Sequence, residues 1–462
     1  MNDPGRRRFS YPRRDHLLAP STALWLFLAL TGCSSSEPRT PPSPSLSEFA
    51  TLAQEVAASR ELQFKREIAL GSFAPGLGQS DAYGPFRLQD VERAYQSIGL
   101  WPNDFDLGKA LSEFRRLEQV VAYDATRASV AFAPNAAILG APFEMNDPAL
   151  AREAPLLFAI VAALLEQNFQ WQAKLNSLFF EDHRLAFRAL TGGDAVLTLI
   201  ARASAKNKGN FLASDLAIVG KIAAELEKAA ARLPDFLRYK LIFPYRHGSQ
   251  FVSWALNAKG WQGVNALYAQ PPLSTAEILH PEKYFRGREA PLRFFPAALL
   301  RRYKESPAVE QSVGEHLTRG LLASELPAKQ ASATAAAWRG DQLFAFHDSG
   351  NLATAWFSSW KSDTDAAEFQ RGYRTVLEKR QRLRFDLAFS RRTNALVGTS
   401  RDGRGVWLQA NGPVVLLVNG VPAIRLSEFA EEAWRDLEIE ADSTAIRFDS
   451  VKRVNQLSLK SK

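Results

Sequence analysis

A change of hydrophobic period divides the chain and most constrains its fold. From about residue 150 to 230 apolar residues recur at helical spacing, in "PLLFAIVAALLEQNF" (155–169), "EDHRLAFRALTGGDAVLTLIARA" (181–203) and "SDLAIVGKIAAELEKAAARL" (214–233). From about 338 the text turns to strands: "DQLFAFHD", "NLATAWFSSW", "NALVGTS", "GVWLQA" and "PVVLLVNG". Turn residues separate several of them, as at Asp402-Gly403. Helices first and adjacent strands later predict an α+β chain. It has a mainly α core with a short β element, then an α+β C-terminal part with antiparallel strands. Two helices, near 363–380 and 425–436, are expected among those strands. Residues 47–118 read as amphipathic helices, opened by Ser45 or Ser47 as an N-cap. Residues 120–135 read as two short strands around a turn near Asp124 to Arg127. Ser214 is the expected N-cap of the last long helix in the 150–230 stretch, and Pro234 its stop.

With 462 residues, 46% of them apolar, the chain can bury a large core. Its net charge is +8. Arg6, Arg7, Arg8, Arg13 and Arg14 against Asp3 and Asp15 put +3 of that before residue 33. The rest is ordinary for this length and forms no basic stripe, so no nucleic-acid partner is expected. The N-terminal arginines precede an apolar run, "STALWLFLALTG", too short to stay in a membrane as a span. Then comes Cys33, the only cysteine, which excludes an intramolecular disulfide. Leu30-Thr31-Gly32-Cys33 looks like a bacterial lipobox, in which the cysteine is acylated and becomes the first mature residue. "SSSEPRTPPSPS" after it reads as a tether. The expectation is a lipoprotein held to the cell envelope by the membrane. Ser34 is not the aspartate linked with inner-membrane retention in many Gram-negative lipoproteins, so the outer membrane is expected over the inner one.

The residues themselves offer no catalytic constellation. The six histidines are His16, His183, His247, His280, His316 and His347, and no two lie three to five residues apart. HExxH, G-x-S-x-G, the P-loop and G-x-G-x-x-G are absent. His183 beside Glu181 and Asp182 reads as a solvated helix face. His280, followed by Pro281, reads as a structural turn residue.

Several collinear segments resemble a family of uncharacterised bacterial and archaeal metallopeptidase-like proteins, often lipoproteins. Its members carry "GFYD", then a helix like "HELTHALQDQHF", then "EGDA", "FPY..G..FV", "PP.STEQILHP.KY" and "GWGGD". Here the counterparts are Val121 to Asp124, Gly192-Gly193-Asp194-Ala195, and Phe243-Pro244-Tyr245 with Gly248, Phe251 and Val252. They continue with "PPLSTAEILHPEKY" from Pro271 to Tyr284 and Trp338-Arg339-Gly340-Asp341. The likeness spans about 90–375, and the "PPLSTAEILHPEKY" text is its most specific part. Laying "LLEQNF" under "ALQDQHF" fixes the register of the zinc helix. The resemblance then implies that the first histidine falls on Phe158, the general-base glutamate on Ala159, and the second histidine on Ala162. The acidic residue of "EGDA" falls on Gly192.

Zinc hydrolysis needs two imidazoles at i and i+4, a third ligand, and a carboxylate to take a proton from bound water. None of these four residues can serve. The resemblance thus implies a zincin-like core that has lost its metal, with no cofactor and no catalytic residue. The expected divisions are a signal peptide (1–32), a lipidated tether (33–46), a helical region (47–118), a metallopeptidase-like core (119–330) and an α+β region (331–462). The expected role is a pseudoenzyme that binds or scaffolds an envelope protein or peptide. Two alternatives stay open. One is an active hydrolase with displaced ligands among His183, His280, Glu181 and Asp194; the other is a peptide- or glycan-binding module that uses the old cleft. Asp194 is expected to bond backbone near the former site.

Overall fold

The computed structural model describes residues 46–71, 85–101, 106–118, 121–132, 148–206, 216–348, 350–386, 388, 390, 395–399 and 403–442. Cys33, the signal and tether segments, Ser214 and Asp402 lie outside these residues. The compact unit that holds every described element runs from Ser43 to Lys462.

The N-terminal part is helical, as its periodicity predicts. It contains α1 (Leu46–Arg60), α2 (Leu88–Ser97) and α3 (Leu107–Glu118). The 120–135 stretch forms β2 (Val121–Asp124) and β3 (Ser129–Phe132), paired antiparallel. Asp124 makes the turn between them: its Oδ1 accepts the amides of Thr126 and Arg127. A two-residue strand, β1 (Ala69–Leu70), adds to β3 in parallel, which no alternation in so short a segment could announce.

The helical core is α4 (Pro148–Phe169), α5 (Trp171–Ser177), α6 (Glu181–Lys206), α7 (Leu216–Ala229) and α8 (Asp235–Ala269). α7 ends five residues before Pro234, which instead precedes the first residue of α8. Pro244 sits inside α8, where it removes one ladder bond without ending the helix. The real break is at Lys259 and Gly260, and Gly260 has φ +59°, a conformation that favours glycine. One hydrophobic core joins α1, β2, β3, α4, α6, α7 and α8.

Short elements follow: α9 (Thr275–Leu279), α10 (Pro281–Phe285), β4 (Leu292–Pro296), α11 (Ala297–Arg302), β5 (Val309–Gln311), α12 (Gly314–Ala323) and α13 (Ala328–Ala335). The C-terminal part supplies β6 (Trp338–Asp348), β7 (Asn351–Trp360), α14 (Asp363–Arg380), β8 (Arg384–Phe385), β9 (Leu396–Thr399), β10 (Arg404–Asn411) and β11 (Val414–Pro422). A 3₁₀ turn (Ala423–Arg425), α15 (Leu426–Trp434) and β12 (Leu437–Ala441) close the described chain.

The main sheet has seven strands in the order β5-β6-β7-β11-β10-β9-β8, all antiparallel. The fold is α+β, with a helical N-terminal core and antiparallel sheets in the C-terminal part. β5 lies N-terminal to residue 331, so this sheet draws on both sides of that expected boundary. Both faces of the sheet are covered. Leu343, Ala345, Leu352, Trp356, Val406, Leu408, Val415 and Leu417 face a core shared with α2, α3, α8, α12 and α14. The alternate residues Phe344, Phe346, Ala353, Phe357, Trp407 and Leu416 face α15, α11 and β4. β4 and β12 form a separate two-stranded ribbon.

Candidate functional site

Of the positions that the family likeness assigns to zinc, Phe158 and Gly192 pack against neighbouring residues of α8. Phe158, Ala159 and Ala162 lie on α4, with Phe158 and Ala162 one turn apart on one face. Phe158 is only 5% exposed, and its ring meets Tyr245 of α8 edge-on at 6.0 Å between centroids. Ala159 is fully buried. Gly192 faces the residue beside Tyr245: a Cβ there would stand 3.0 Å from Pro244 Cβ. One residue on, a Cβ at Gly193 would collide with the Gly248 backbone. Helices α6 and α8 therefore cross with backbone against backbone. Phe158, Ala159, Ala162 and Gly192 present no side-chain lone pair, and the space is taken by ring and backbone atoms. This chemistry does not fit the zinc that the likeness implies.

The polar end of α4 has a structural task. Gln167 Oε1 accepts the amides of Lys65 (2.8 Å) and Arg66 (3.0 Å), and its Nε2 donates to Arg66 O and to Tyr123 Oη. Asn168 Nδ2 donates to Gln63 O, and Glu166 Oε2 accepts from Gln172 N. Burial raises the Glu166 carboxyl above its ordinary range. Phe169 stacks on Tyr268 at 4.1 Å. The tail clamps the irregular segment after α1 and ties it to β2.

The residues considered as displaced ligands go to separate partners. Asp194 accepts from Arg60 Nε (2.6 Å), Arg60 Nη2 (3.0 Å), Tyr268 Oη (2.9 Å) and Thr198 Oγ1 (3.3 Å). It thus bonds side chains rather than backbone. Arg60 also donates to Asn265 and lies 4.3 Å from the Trp261 ring, and both members of the ion pair are fully buried. Glu181 pairs with Lys240, and His183 lies 3.5 Å from Asp442. Burial pushes the His183 imidazole down, Asp442 opposes that, and Arg293 adds to it. His280 Nε2 meets Glu315 Oε1 at 2.7 Å. Among the described residues, no three His, Cys, Asp or Glu side chains are grouped to hold a metal ion.

The polar residues of "PPLSTAEILHPEKY" form a joint between the helical core and the sheet. Ser274 caps α9, and Thr275 Oγ1 donates to Asp182 at 2.5 Å while accepting the amide of His316. Glu277 accepts from Leu273 N and Arg288. Lys283 donates to Ala336 O and lies 3.6 Å from Glu315. Deeper in, Asp341 accepts from Ser312 Oγ, the amides of Val313 and Gly314, and the indoles of Trp338 and Trp356. That carboxylate fixes the start of α12 to the first strands of the sheet. Burial pushes the Asp182 carboxyl up to about 8, against its Thr275 bond, with Asp341 and Glu315 adding to the rise. Burial likewise pushes His247 down to about 4 and His316 to about 3; Arg246 and Arg319 add to the first, His247 to the second. The rings of these two histidines lie 6.2 Å apart although 69 positions separate them in the chain.

The sequence reading passed over Arg60, Lys240, Glu315 and Asp182 as partners, since each meets its counterpart across at least 35 residues. The signal was present only as charged residues inside otherwise apolar helical stripes, as at Arg60 and Asp194. A family model for a domain of unknown function (DUF8575) matches residues 301–430. No curated protein and no solved structure matches the chain. The matched residues run from α11 through β11 into α15, so the sheet half of this chain is similar to that domain family.

Proposed function

We propose that this chain is a membrane-anchored lipoprotein of the cell envelope, acylated at Cys33. Its body is metallopeptidase-like but catalytically inactive, and it acts as a binding or scaffold protein. One observation carries the reading: the four positions expected to hold and serve zinc are Phe158, Ala159, Ala162 and Gly192, none with a side-chain lone pair, with Phe158 against Tyr245, Gly192 against Pro244 and Ala159 fully buried. The dispersal of His183, His280, Glu181 and Asp194 to four different partners weighs against a hydrolase with displaced ligands. The anchor reading is supported by the placement of the only cysteine behind a short apolar run.

Two measurements test it. After zinc loading and desalting, elemental mass spectrometry of the chain without its signal should find far less than one zinc per chain; stoichiometric zinc would overturn the inactive reading. In cells, a clickable palmitate analogue should label the wild type and leave Cys33→Ser unlabelled. Equal labelling of both would overturn the anchor.

A further inference from the structure

The described surface exposes few large apolar side chains, and two of them touch each other. Trp254, on α8, is 42% exposed, and Phe285, the last residue of α10, is 37% exposed. Their rings stack at 6.0 Å and 9°. The pair stands on a firm base: Phe285 contacts Tyr284 and buried Phe251, and Arg288 lies 4.9 Å from the Tyr284 ring. Arg246 and Gln250 precede Trp254 at two and one turns on the same exposed face of α8. Arg286 follows Phe285 directly, and Lys259 follows Trp254 at the break in α8; both are exposed and make no ion pair among the described residues. Arg246 pairs with Glu227 at 3.7 Å, so the unneutralised cations beside the rings are Lys259 and Arg286, and rings flanked by such cations match the chemistry of an anionic bilayer surface. Rings of this kind settle at headgroup depth, and cations are drawn to the negative lipid.

We infer that the Trp254–Phe285 ledge is the face with which this protein rests on anionic phospholipid. The inference builds on the lipid-anchored reading above: Cys33 precedes Leu46 by thirteen residues, so an acyl chain there keeps the body within a covalent reach of about 45 Å of the bilayer. The ledge orients a body that the lipid already holds nearby.

The test uses the compact unit starting at Ser43, which contains no cysteine, so an introduced one is a unique label. An environment-sensitive dye at Gln250→Cys is compared with the same dye at Ile424→Cys, whose position is 94% exposed. Vesicles are phosphatidylcholine with or without phosphatidylglycerol. The expected result is a blue shift at 250 and none at 424, only with phosphatidylglycerol, and lost at high salt. Trp254→Ser with Phe285→Ser should weaken vesicle partitioning on the order of ten-fold. Both rings are more than half buried and Phe285 touches Phe251, so the unfolding midpoint falls too, and partitioning is read at a temperature where circular dichroism shows the variant folded. No shift at 250, equal shifts at both positions, or an unaffected double variant would overturn the inference. So would a dimer in solution that the double variant abolishes, which would assign the ledge to a second copy of the chain. Palmitate labelling of Cys33 reads the anchor separately, so either idea can fail without the other.

Discussion

At the scale of single residues, the α6–α8 crossing is set by what is missing from two side chains. Gly193 and Gly248 let the backbones touch, and a methyl group at 193 has nowhere to go. Gly193→Ala should therefore destabilise by about 1–3 kcal/mol. Gly220, exposed on α7 with open space around its Cβ, is the control: Gly220→Ala should stabilise by about 0.5–1 kcal/mol. Urea midpoints of the two variants check both signs. Titration gives a second residue-scale prediction. Folded Asp182 keeps its proton to about pH 8, while the unfolded chain releases it near 3.8. The folded state binds the extra proton across that window, so this group's contribution falls as pH rises through it. Asp182→Asn should gain on the wild type as pH is raised toward 8. Neutral His316 and His247 work in the other direction: the unfolded chain takes up protons below 6.5, so their contribution is lost as pH falls toward about 4 and then 3. His316→Phe should flatten the acid side of the stability curve measured by chemical denaturation.

At the scale of elements, the long periodic segments were legible and the short edges were not. The stripe over 155–169 makes α4, and the short aromatic-rich run over 351–360 makes β7, buried on both faces of the sheet. β1, β5 and β8 have two or three residues each and exist only because a neighbouring strand offers them hydrogen bonds. Pro234 marks the start of α8 rather than the stop of α7, and tertiary packing carries α8 through Pro244, a residue that local rules use as a stop. The candidate site shows the limit most plainly. Phe158 and Gly192 could be aligned with a motif, yet the sequence gives no sign that Tyr245 and Pro244 fill the space between them. Asp341 shows the reverse, a residue in a legible motif whose task needed coordinates. Because it serves two backbone amides and two indoles, Asp341→Ala should cost about 3–5 kcal/mol and orphan both tryptophan N–H groups. Denaturant unfolding measures the loss, and near-ultraviolet circular dichroism should report the changed tryptophan environment.

At the scale of the whole molecule, the stretch that resembles a domain family is not sealed by its own residues. The sheet face carrying Trp356 and Val415 packs on Trp101, Phe236 and Leu237, all outside 301–430. Excised residues 301–430 should therefore bind a hydrophobic dye and lack sharp near-ultraviolet bands, whereas the unit from Ser43 should do neither. A cooperatively melting fragment would refute this.

The end of α2 carries a consequence for how the chain is made. Its last carbonyls, on Gln96, Ser97 and Ile98, accept from Gln381 Nε2, Asn419 Nδ2 and Tyr373 Oη. Synthesis runs from the N-terminus, so the Ser97 and Ile98 carbonyls of a helix finished early wait for more than 270 further residues before they are capped. A premature stop before Tyr373 then strands the end of α2 as well as removing the newest part of the protein. Nonsense alleles late in the reading frame should behave as complete losses.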